Sequence, residues 1–346
     1  MTAVTLPKKI LLNPAAGNAP LTRSSRRHKT SNIKHRMSLH GMEGIEEVRE
    51  GRRLNLYKVQ RPSDTTIFFI PGSLACHNID MDIIKHLEDG FDVNIVAWDA
   101  YGSGKSDRKR DWDEAGNFIG HYSTENLFLD AYAILNKYTT EKNVLLGHSF
   151  GSALIARLVK RLQEERISRV TNVNISSCVL IGTAFKMPDG AHPVFMLPEA
   201  LLSCLQPAMN EEAVRQALSL RSYENDELKT MSYKYGISND MATVKAFFQQ
   251  LKWATEEEWS SLKHVPVLVL QGKEDQITNV DNALLLYERI IATEEYRGRL
   301  SSFKIIPDAG HMVMYEQPSL TNSFIVEFLQ GLNILQERIE AALPRS

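Results

Sequence analysis

The sequence predicts an α/β fold: a mostly parallel central sheet with helices on both faces, and a helical cap inserted before its last strands. Three observations predict it. Short apolar runs recur along most of the chain at the length of buried strands. Helical patterns separate them, and alternation of this kind implies parallel pairing with both faces of the sheet covered. One long interval, residues 183–264, breaks the rhythm with helical, apolar and prolyl patches and no buried-strand pattern.

The elements follow in order. Residues 1–42 hold Ser, Thr, Asn, Pro and basic residues with little periodicity, and read as a disordered arm or a mitochondrial-type targeting segment. The core opens at residue 43, with a hairpin expected across Glu50-Gly51. Buried strands are expected at Thr66–Ile70, Val93–Trp98, Asn143–Leu146 and Cys178–Ile181, completing the first part of the core, 43–182. Helices are expected at Asn126–Tyr138 and after Gly151, where Leu154, Ile155, Leu158, Val159 and Leu162 share one face. Residues 183–264 form the expected cap. The second part of the core, 265–346, carries strands at Val267–Leu270 and Phe303–Ile306 and a helix over Asn322–Ile334. Ligands bind at the carboxyl ends of such strands, so a cap placed there would shape the substrate pocket.

Composition excludes several classes. The chain has 346 residues, 43% hydrophobic and 24% charged, which suits a packed globular protein. The formal net charge is −2, unevenly spread: residues 1–42 hold eight Lys or Arg and no acid, leaving −10 on the rest. An acidic body argues against nucleic acid as the partner. No apolar run is long enough to span a membrane, and Ile10–Leu12 is too short for a signal-peptide core. Cys76, Cys178 and Cys204 are an odd number without CxxC spacing. They read as reduced thiols of an intracellular, cytoplasmic protein, with mitochondrial targeting as the alternative that the basic arm raises. Nothing in the spacing suggests a metal site.

The strongest chemical signal is Gly147-His148-Ser149-Phe150-Gly151, which follows an apolar strand and opens an amphipathic helix. That is the setting of a nucleophile elbow: a strained turn lifts Ser149 above the sheet, and glycines two positions to either side avoid collisions. A serine nucleophile needs a base and an orienting acid. Chain order offers Asp275, after Val267–Leu270, and His311, after the strand ending at Ile306. Glu274, Asp281 and Asp308 compete with Asp275, Glu274 most seriously. His148 reads as packing beneath the turn, while His121, His192 and His264 lack a comparable loop setting. The expected oxyanion donors are the backbone N–H groups of Phe150 and of Ser73, in the Pro71-Gly72-Ser73-Leu74 loop. The stretch Gly102–Ser106 resembles a phosphate loop only superficially, because Asp99 stands where that loop needs glycine.

These segments, in this order, resemble the α/β-hydrolase superfamily. The likeness rests on the elbow, the Asp99…Gly102–Ser106 loop, the Gly272…Asp275 loop and Ala309-Gly310-His311, and it spans about residues 44–334. Lys142–Ser149, Leu197-Pro198…Pro207 and His311–Glu316 are most similar to its abhydrolase domain-containing subgroup. The resemblance implies that Asp99–Ser106 is a structural loop, and that the substrate is an acyl lipid or other apolar ester. It implies a serine carboxylic-ester hydrolase with a Ser149–His311–Asp275 triad and no cofactor. Two departures stand out: Pro71-Gly72 replaces the usual His-Gly, and Glu316 stands where related acyltransferases carry Asp five residues after the histidine. Acyl transfer through the same acyl-enzyme and a non-catalytic binding or scaffold role are the alternatives. The expected partner is a small-molecule ester or lipid, and peripheral membrane contact is compatible with the basic arm.

Overall fold

The computed structural model describes residues 41–170, 173–187, 193–236, 239–291 and 301–338. The basic arm lies outside these residues except for its last two positions, and His192 lies outside them too. Eight strands form one sheet: β1 (Met42–Arg49), β2 (Arg52–Val59), β3 (Thr65–Ile70), β4 (Asn94–Trp98), β5 (Lys142–His148), β6 (Ile175–Ile181), β7 (Val267–Gly272) and β8 (Ser302–Ile306). Their spatial order is β1-β2-β4-β3-β5-β6-β7-β8. β1 and β2 form the hairpin expected at Glu50-Gly51, and β2 runs antiparallel to β4; every other neighbouring pair is parallel.

Helices cover both faces: α1 (Met81–Gly90), α2 (Thr124–Tyr138) and α3 (Phe150–Ile167) come from the first part of the core. Between β6 and β7 lie α4 (Glu199–Ala217), α5 (Leu220–Tyr223), α6 (Asp226–Met231), α7 (Met241–Gln250) and α8 (Glu256–Ser260). The last of these packs on α3, where Ser261 Oγ donates to the Ala156 carbonyl and Gln163 Nε2 to the Ser261 carbonyl. The remainder holds α9 (Val280–Leu286), α10 (Val313–Glu316) and α11 (Pro318–Gly331).

The central strands read as unbroken apolar runs because both their faces are buried. In β3, Phe68 and Ile70 join the core layer beneath α2 and α3, while Ile67 and Phe69 join the opposite layer with Ile83 and Leu87 of α1 and Ile325 of α11. Leu145 divides from Val144 and Leu146 in the same way on β5. No helix among the described residues is long and apolar enough to cross a membrane.

Candidate active site

Parallel order brings the ends of β3, β5, β6, β7 and β8 to one edge of the sheet, and the site is built there. β5 passes into α3 through Ser149, whose φ of 53° and ψ of −120° are strained for a residue with a side chain. The glycines explain why the turn fits. A Cβ on Gly147 would lie 2.7 Å from the Gly151 backbone, and one on Gly151 would lie 2.3 Å from the Ile70 carbonyl oxygen. The Ser149 N–H donates to the Ile181 carbonyl at 2.8 Å, which ties the elbow to β6. Phe150 is the first residue of α3, where backbone N–H groups lack an intrahelical acceptor.

His311 sits in the loop after β8 and is 4% exposed. Its Nδ1–H donates to Asp275 Oδ2 at 2.8 Å. This leaves Nε2 as the nitrogen available for proton transfer. Asp275 is held in turn by the N–H groups of Ile277 and Thr278 on Oδ1, each at 2.8 Å, and by Thr278 Oγ1 and Gln271 Nε2 on Oδ2. Burial pushes the Asp275 carboxyl upward, but the His311 imidazole and the Thr278 donors outweigh it and hold it below the ordinary value. Of the rival acids, Glu274 accepts instead from the Leu220 N–H, and Asp308 offers its backbone carbonyl to Ser219. Thr278 and Gln271 escaped the sequence reading. The signal for Thr278 was present, since an Asp that accepts from backbone two and three residues on is a local turn pattern.

His148 also differs from a side chain merely tucked under the turn. It is buried, its Nε2–H donates to the His311 carbonyl at 3.1 Å, and the two rings are 4.6 Å apart. Burial, then repulsion from His311, lowers its pKa to about 3, so it stays neutral. The loop after β3 lies against it: a Cβ on Gly72 would come within 3.0 Å of the His148 carbonyl oxygen and 3.4 Å of Ser149 Cβ. Two residues on, Leu74 adopts a φ of 51°. Its carbonyl accepts from Ser103 Oγ at 2.6 Å and from Asn239 Nδ2 at 2.9 Å. These two donors hold the strained Pro71–Leu74 loop, and Asn239 belongs to the chain between β6 and β7. The Gly102–Ser106 segment has no phosphate-loop character, for Asp99 accepts from Asn55, His77 and the Lys105 N–H, and the exposed Lys105 Nζ pairs with Glu43.

Ser73, Ser149, His148 and His311 line one cavity of about 330 Å³. Its remaining wall is mostly apolar and comes largely from residues between β6 and β7, among them Phe195, Met209, Met241, Phe248 and Trp253. Among the described residues, no Lys, Arg, Asp or Glu lines it.

A mostly parallel eight-stranded sheet with a serine on a strained strand–helix turn, facing one cavity with a carboxylate-bound histidine, defines an α/β hydrolase. The chain belongs to the alpha/beta hydrolase fold family, which matches residues 65–318. Among curated proteins it is similar to Protein ABHD8 of Homo sapiens, at 25% identity over 271 residues. That match covers 77% of this chain and 55% of ABHD8, so the chain spans about half the length of that relative. Monoglyceride lipase of Mus musculus is 25% identical over 282 residues, covering 77% of this chain and 82% of the lipase. Among solved structures, a thermophilic esterase from Thermogutta terrifontis superposes with a TM-score of 0.61 at 17% identity, covering 85% of this chain and 99% of that one. That likeness is one of fold.

Proposed function

We propose that the chain is a serine hydrolase that cleaves the carboxylic ester of an acyl lipid or other apolar ester. The observation that carries this reading is Ser149 on a strained elbow, lining the same cavity as His311, whose Nδ1 is 2.8 Å from Asp275. In the proposed reaction Ser149 Oγ attacks the ester carbonyl while His311 Nε2 takes its proton. The tetrahedral oxyanion is received by the N–H groups of Phe150 and Ser73. The protonated His311 gives its proton to the leaving alcohol, and the acyl group stays on Ser149. His311 then takes a proton from water, which attacks the acyl-enzyme, and gives that proton to the departing Ser149 Oγ as the acid is released. Asp275 stays ionised throughout and holds the ring.

The cavity supports the substrate class. A charged group buried without a counter-charge is costly, and among the described residues this wall carries no basic or acidic side chain. An uncharged, apolar acyl portion is therefore the group that fits. In this reading residues 183–264 supply the cap, 43–182 and 265–346 the two parts of the core, and 1–42 an arm that takes no part in the chemistry. A lipid substrate allows contact with a membrane surface without a spanning helix. The test is labelling by a fluorophosphonate and hydrolysis of acyl esters, wild type against Ser149→Ala. The variant should lose labelling and on the order of 10⁶-fold in turnover. Equal labelling of both folded proteins would overturn the assignment.

A further inference from the structure

Glu316 closes α10, five residues after His311, and is 9% exposed. Among the described residues no cation pairs with it. Three backbone N–H groups converge on its carboxylate instead. Gly310 and Met312, the two neighbours of His311, donate to Oε1 at 2.9 and 3.2 Å. Ser219, at the joint between α4 and α5, donates to Oε2 at 2.8 Å. The same joint touches the histidine loop elsewhere. The His311 N–H donates to the Ala217 carbonyl at 2.7 Å, and Ser219 Oγ donates to the Asp308 carbonyl at 3.3 Å. The backbones are so close that a Cβ on Gly310 would lie 2.7 Å from the Ala217 oxygen and the Ser219 nitrogen.

We propose that Glu316 is a positioning residue for the general base: it fixes the backbone on both sides of His311 and ties it to the α4–α5 joint of the cavity-lining insert. This rests on the triad reading above. The physical reason is acceptor capacity. An ionised carboxylate can accept all three N–H bonds, each charge-assisted, whereas an amide of the same shape offers one acceptor oxygen. In Glu316→Gln the amide NH₂ must face either Ser219 or the Gly310–Met312 pair, donor against donor. One edge of the clamp then opens, with Asp275, Thr278 and Ser149 untouched. A small displacement of a catalytic group costs far more in turnover than in binding.

The experiment compares wild type with Glu316→Gln in two readouts. Steady-state hydrolysis of an acyl ester should show kcat reduced about 10- to 100-fold with KM within about twofold. The downfield imidazole N–H resonance of the His311–Asp275 pair, identified by its loss in His311→Gln, should broaden through faster exchange with water. Wild-type kcat together with an unchanged resonance would overturn the proposal. Should Glu316→Gln fail to fold, Glu316→Asp, which keeps the charge but is one methylene too short to span both edges, gives the same two readouts with a smaller loss. A wild-type protein that no fluorophosphonate labels would overturn the hydrolase reading alone, and the resonance would still decide the role of Glu316.

Discussion

At the scale of single residues, buried acids divide by what they touch. Asp275 has four hydrogen-bond donors besides His311 and stays charged. Asp80, at the start of α1, is as buried, but among the described residues it has no such set and its Oδ1 lacks a partner. Burial raises its pKa to about 7, with His77 opposing. The folded chain therefore holds a proton that the unfolded chain releases above 3.8. Stability falls as pH rises from about 4 to 7, and the loss is constant above that. Asp80→Asn should raise the unfolding temperature at pH 8 by several degrees, on the order of a few kcal/mol, and by less at pH 4. Thermal melts at the two pH values check it, and equal shifts would refute it. Glu46 runs the other way. Although burial opposes the change, Lys137, Lys58 and Tyr138 hold its pKa down to about 2, so its contribution is present above 4.5 and fades as pH falls toward 2.

At the scale of elements, the elbow is a fit between β5, α3 and the end of β3. Gly151 lies where the Ile70 carbonyl leaves no room for a methyl group. Gly151→Ala should therefore destabilise the protein by about 1–3 kcal/mol through overpacking and push Ser149 out of line, reducing its labelling. Denaturant unfolding and probe kinetics check both effects, and wild-type values in each would show that the elbow has slack. This element was legible in the sequence because its signals are local: an apolar strand, Gly-x-Ser-x-Gly, then an apolar helical stripe. The strand positions were legible for the same reason, with ends differing by a residue or a few. The Pro71–Leu74 loop was not. Its shape depends on Ser103 and Asn239 reaching the Leu74 carbonyl from 29 and 165 residues away, and no local pattern announces such partners.

At the scale of the whole molecule, the charge asymmetry separates two parts of the chain. The proposed catalytic groups lie between Ser73 and His311, and the eight cations of residues 1–42 lie before all of them. Deleting residues 1–40 should leave kcat and KM for a soluble ester within about twofold, and should weaken binding to anionic vesicles by removing the basic cluster. Ester kinetics and vesicle sedimentation check this, and loss of activity in a folded truncated protein would place the boundary wrongly. The sequence by itself determined the fold class, the strand order along the chain, the turn that carries Ser149 and the loops that carry His311 and Asp275. Strand periodicity, glycine spacing and chain order are local, and they survive without coordinates. Only the tertiary structure decided that Asp275 rather than Glu274 meets His311, that His148 bonds the His311 carbonyl across 163 residues, and that both histidines line a cavity whose described wall is mostly apolar. Those outcomes depend on separations of an ångström or two between segments far apart in the chain, which packing sets and residue pattern does not record.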